Sequence, residues 1–102
     1  MERKINVKGD FSRVNEEEKG FINKRLEKFE EKYDPVFSEM YLKLDCDIHK
    51  ETSRGRPAYY CKVNVATDRG KFSAEEQAFG AEKSISNALD KIERQIDKKK
   101  GK

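Results

Sequence analysis

Met40-Tyr41-Leu42-Lys43-Leu44-Asp45-Cys46-Asp47-Ile48 alternates apolar and polar side chains without a break. A period of two marks a strand with one face in a core and the other in water. Met40, Leu42, Leu44, Cys46 and Ile48 point one way; Glu39, Tyr41, Lys43, Asp45, Asp47 and His49 point the other. Downstream, a polar stretch from Lys50 to Pro57 leads to a second alternating run with Tyr59, Cys61, Val63 and Val65 inward. Asp68-Arg69-Gly70 reads as a hairpin turn, and Phe72 and Ala74 continue a further strand. A strand-to-helix boundary falls between Glu75 and Gly80. Ile85, Leu89, Ile92 and Ile96 then repeat at helical spacing, and this helix runs into a basic tail over 98–102 that is expected to be flexible.

Upstream, Ile5 and Val7 alternate with Lys4, Asn6 and Lys8 until Gly9-Asp10, a short first strand. Asn15 suits a helix cap, with Glu18 three residues on and Glu16, Glu17 and Glu18 at the positive end of the helix dipole. Ile22, Leu26, Phe29 and Tyr33 form one buried stripe, and Asp34-Pro35 ends the helix. The order is βαβββα, an α+β fold. One sheet face is apolar and the other polar, so both helices belong on the same face. A right-handed crossover sets the first strand beside and parallel to the second. Two hairpins then make the fourth strand parallel to these, so the two helices run parallel.

A chain of 102 residues makes one domain with a modest core. Charged residues reach 42%, yet 23 basic and 20 acidic side chains leave a formal net charge of only +3. Total charge therefore does not point to nucleic acid; the arrangement of charge has to. The start, Met1-Glu2-Arg3-Lys4-Ile5, has no apolar signal core and no run approaches membrane-spanning length, so a cytoplasmic protein with no membrane partner is expected.

At about 100° per residue, the first helix carries Phe21, Lys24, Arg25, Lys28 and Lys32 on one flank and the outer surface. Glu16, Glu27, Glu30 and Glu31 take the opposite flank. The second helix repeats the division, with Lys91, Arg94 and Lys98 on one side and Glu82, Asp90, Glu93 and Asp97 on the other. Two readings stand. Solvated faces laced with ion pairs are the ordinary fate of such helices. Against that, Lys24, Lys28 and Lys32 repel one another at i,i+4, which a purely structural helix avoids by mixing signs. The segregation favours an anionic partner.

Residues that resemble catalytic or metal chemistry have simpler readings. Cys46 and Cys61 face inward on neighbouring strands as buried free thiols. Two cysteines and the single His49, on the other face, do not make a zinc site. There is no glycine-rich phosphate loop and no nucleophile with a base beside it, so no enzyme activity, cofactor or small-molecule substrate is expected. Tyr41 and Tyr60 face outward; base stacking is one reading, and an exposed cross-strand aromatic pair among Glu39, Asp45 and Asp47 is the preferred one. His49-Lys50-Glu51-Thr52-Ser53-Arg54-Gly55-Arg56-Pro57 reads as a plain, mildly basic hairpin connection.

Three stretches carry a resemblance: Ile5-Asn6-Val7-Lys8-Gly9, Asn23-Lys24-Arg25-Leu26-Glu27-Lys28-Phe29-Glu30-Glu31-Lys32-Tyr33-Asp34, and Leu89-Asp90-Lys91-Ile92-Glu93-Arg94-Gln95-Ile96-Asp97-Lys98-Lys99-Lys100. Together they resemble the ribosome hibernation promotion factor family, also called sigma-54 modulation or ribosome-associated inhibitor proteins. The resemblance implies a single ribosome-binding domain over 1–102 with the βαβββα fold. It further implies a non-catalytic translation inhibitor that binds the small ribosomal subunit in the channel used by messenger and transfer RNA. The matching RNA-binding positions are Lys24, Arg25, Lys28, Lys32, Lys91, Arg94, Lys98, Lys99 and Lys100, facing ribosomal RNA phosphates. Ending at Lys102, the chain looks like the short family form. It departs from the family pattern at Glu82-Lys83-Ser84-Ile85-Ser86.

Two other functions are consistent with the residues. A double-stranded RNA-binding module shares the αβββα order, although Gly80, Ala81 and Glu82 stand where its lysine cluster belongs. A protein-interaction module would use the acidic helix sides or the exposed sheet.

Overall fold

The computed structural model describes residues 4–51 and 57–100. The side-chain directions expected for Asp47, Ile48 and His49, the connection beyond Glu51, and the side chains of Lys99 and Lys100 lie outside the described residues.

The element order is β1 (Ile5–Gly9), α1 (Glu16–Tyr33), β2 (Phe37–Glu51), β3 (Pro57–Thr67), β4 (Gly70–Ala78) and α2 (Ala81–Lys100). One four-stranded sheet has the spatial order β1-β2-β3-β4, with β1 parallel to β2 and the remaining neighbours antiparallel. This is the βαβββα sheet that the periodicities predict. Its inner face, formed by Met40, Leu42, Leu44, Tyr59, Cys61, Val63, Val65 and Ala74, joins both helix stripes in one core. Ile22, Leu26, Phe29 and Tyr33 of α1 and Ile85, Leu89, Ile92 and Ile96 of α2 are all buried there. Full burial of such a side chain contributes about 1.5–3 kcal/mol.

Three contacts across the helix seam fix the direction of the helices. Glu18 meets Glu82, Arg25 meets Asp90, and Tyr33 meets Asp97, at sequence separations of 64, 65 and 64. A constant separation means that the helices advance together, side by side and parallel.

Asn15 caps α1, its Oδ1 accepting from the Glu18 N–H at 2.7 Å. At the other end Lys4 closes the helix: its Nζ donates to the Asp34 carbonyl at 2.7 Å and pairs with the Asp34 carboxylate at 2.8 Å. A cation here also opposes the negative end of the helix dipole. Gly9 ends β1 with φ of +132°, and a Cβ there would stand 2.1 Å from the Leu44 carbonyl oxygen. Only glycine lets the chain pass this close.

Several sequence expectations need correction or completion. Phe37, which the periodicity leaves unplaced, belongs to the core, stacked edge-on to Phe29 at 5.4 Å between ring centroids; a register shift between Phe37 and Glu39 interrupts the alternation there. Cys46 is only half-buried, while Cys61 is buried as expected, and both are free. Tyr41 and Tyr60 are not a cross-strand pair: Tyr41 stands opposite Asn64 and Tyr60 opposite Asp45. α2 continues through Lys100, so residues 98–100 of the basic tail lie within the helix.

Candidate nucleic-acid interface

The first helix brings its basic flank to the second. Arg25 Nη2 lies 2.8 Å from Asp90 Oδ1 and 3.0 Å from Glu93 Oε2, with the arginine side chain 19% exposed. Tyr33 donates to Asp97 at 3.1 Å one level further along, and burial, followed by that hydrogen bond, raises the phenol's pKa. The acidic side of α2 thus lines the seam. Arg25, placed by sequence among the RNA-binding residues, bridges the two helices through these carboxylates.

Lys91 lies on the far flank of α2 and pairs with Glu76, which points inward from the edge strand β4. Gln95, one turn on, donates to the Ser73 carbonyl of the same strand at 3.1 Å. Both contacts cover part of an open strand edge. Arg94 and Lys98 are exposed next to Lys91. Lys24, Lys28 and Lys32 are exposed on the outer side of α1, and Lys32 lies 5.3 Å from the Tyr33 ring centroid. Among the described residues, Lys24, Lys28, Lys32, Arg94 and Lys98 have no carboxylate within ion-pair distance. The surface therefore presents two parallel basic stripes, one per helix, separated by the acidic flank of α2.

At the start of α2 the Glu18 carboxylate accepts from the Glu82 N–H at 3.0 Å. An acidic side chain occupies the place where a helix N-terminus would otherwise attract phosphate. The departures from the family pattern also have structural roles. Ser84 is fully buried and donates to the Ala81 carbonyl, while Ser86 donates to the Glu82 carboxylate. Among the described residues, no three His, Cys, Asp or Glu side chains cluster to hold a metal ion, and no helix is long and apolar enough to cross a membrane.

The family described as hibernation factor Hib, C-terminal domain, matches residues 4–102. The chain belongs to this hibernation-factor family. No curated protein matches the hibernation-factor chain. Solved structures share its fold. A ribosomal subunit interface protein from Coxiella burnetii superposes with a TM-score of 0.70 at 16% identity, over 96% of this chain and 98% of that one. The Protein Y N-terminal domain from Thermus thermophilus does so with a TM-score of 0.58 at 16% identity, over 91% and 93%.

Proposed function

We propose that this hibernation-factor domain is a non-catalytic, cytoplasmic translation inhibitor that binds the small ribosomal subunit. It acts by occupying the channel for messenger and transfer RNA. The observation that carries this reading is the family match over residues 4–102. The described Coxiella burnetii neighbour, a ribosomal subunit interface protein, supports the same partner.

Ribosomal RNA phosphates meet the two basic stripes: Lys24, Lys28 and Lys32 from α1, and Lys91, Arg94 and Lys98, with Lys99 and Lys100, from α2. Arg25 serves as a strut that sets the spacing of the stripes. These cations supply the phosphate contacts, and each contact formed releases counterions. Inhibition is steric, so no reacting group is needed. A duplex-RNA mode is less well supported, because Glu18 fills the N-terminus of α2.

Preloading the channel tests the mechanism. Small subunits carrying messenger and transfer RNA should fail to bind the domain, while empty subunits bind it. Equal binding to both would refute channel occupancy.

A further inference from the structure

The sheet face away from the helices carries an ordered pattern of its own. Register places Lys8 beside Lys43 and Lys43 beside Lys62, with Glu75 closing the row on β4. All four are exposed, and Lys62 pairs with Glu75 at 3.8 Å. Neighbouring strands lie about 4.8 Å apart, and like charges directly opposite one another are destabilising. A face that serves only solubility would alternate the signs.

One row back run Asn6, Tyr41, Asn64 and Ser73; one row on run Asp45, Tyr60 and Gln77. The tyrosines therefore flank the lysine row diagonally, offset along the strands by four residues, roughly 13 Å. A hollow opens beside each. Glu39, Asn64, Lys71 and Ser73 line the one at Tyr41, and Asp45, Lys62, Glu75 and Gln77 the one at Tyr60.

We propose that this open face is a second RNA-binding surface and that it takes single-stranded RNA. A base enters each hollow against its tyrosine, and the intervening phosphates lie on the Lys8, Lys43 and Lys62 row. Aromatic rings set on both sides of a cationic track are what unpaired strands require, since every base offers a ring face for stacking. Asn64, Ser73 and Gln77 supply donors and acceptors to base edges. The carboxylates stand at the hollows, where they accept from exocyclic amino groups, such as that of cytosine. Duplex RNA keeps its bases stacked and finds no such fit. The helices occupy the opposite face of the sheet, so the inference does not depend on the ribosomal reading.

Fluorescence anisotropy with a short labelled oligocytidine, as a single strand and within a duplex, tests it on the full chain. Tyr41→Ala combined with Tyr60→Ala should weaken single-strand binding by roughly tenfold or more. Lys43→Glu should weaken it and flatten its salt dependence, while the same charge change at Lys83, exposed on α2 and outside both basic stripes, leaves it unchanged. Single-strand affinity that survives the tyrosine and Lys43 changes in folded variants would overturn the proposal. So would affinity for oligoglutamate with none for the oligocytidine, which would assign the face to an acidic protein segment. Should the tyrosine variant not fold, photo-crosslinking of thiouridine-labelled RNA to the unaltered chain decides. Crosslinks on β2 and β3 support the proposal, and crosslinks confined to the helices refute it.

Discussion

Glu18 of the first helix caps the second, its carboxylate accepting from the Glu82 backbone N–H at 3.0 Å. Gly80, the residue before α2, has no side chain to do this and adopts φ of +150°. Glu18→Ala should therefore destabilise the fold by about 1 kcal/mol, lowering the melting temperature by roughly 4–8 °C. Glu18→Gln, which keeps an acceptor oxygen, should lose less. Equal losses in the two variants would remove the cap as the cause.

Gly9 and Gly70 both have positive φ, but only Gly9 is pressed against backbone. Gly70→Ala should cost about 1–2 kcal/mol from conformation alone. Gly9→Ala adds a clash with the Leu44 carbonyl and should cost clearly more. Denaturant unfolding of the two variants checks the order, and a reversed order contradicts the close approach.

Arg25 and Lys28 stand one turn apart and should fail differently. Arg25→Gln leaves Asp90 and Glu93 facing each other without their cation, so stability should fall by about 1 kcal/mol after discounting for partial exposure. Subunit affinity should change little. Lys28→Gln should leave stability intact and reduce the salt slope of subunit binding by about 1. Melting curves and binding isotherms on both variants separate strut from contact.

Alkaline pH should unfold the protein through groups that are buried while protonated. Burial, with the Glu76 charge second, pushes the Cys61 thiol from its ordinary 9.0 up to about 12. Burial, followed by the hydrogen bond to Cys46, raises the Tyr59 phenol from 10.0 to about 12. Between those limits the unfolded chain gives up protons that the folded chain keeps. The stabilisation is therefore complete below pH 9 and is lost as pH rises towards about 12. Cys61 alone contributes a slope of up to about 1.4 kcal/mol per pH unit. Cys61→Val should flatten the early part of the loss in a pH series of denaturant melts. An unchanged slope would mean that the thiol is not the group responsible.

What sequence reading found here followed from local period. Ile22, Leu26, Phe29 and Tyr33, like Ile85, Leu89, Ile92 and Ile96, announce helix faces because each stripe lies within a single element. Phe37 escaped it because an irregularity at the start of β2 changes which residues face inward. The end of β4 was obscured by Glu76, an inward-facing charge whose partner Lys91 lies in another element. The pairing of Tyr41 with Asn64 depends on where the β2–β3 connection turns, and its polar stretch carries no single turn motif. The candidate site was legible as charge segregation on each helix. That the basic side of α1 meets the acidic side of α2 follows only from the 64-to-65-residue offset of the seam, which neither helix encodes alone.

Co-sedimentation with small ribosomal subunits across a salt series tests the central claim most directly. The wild-type domain should pellet with subunits at low salt and dissociate steeply as salt rises. A variant with Lys28→Glu, Arg94→Glu and Lys98→Glu should stay in the supernatant at every salt while melting like the wild type. Undiminished pelleting of that folded variant would contradict the assignment of the basic helix stripes to ribosomal RNA.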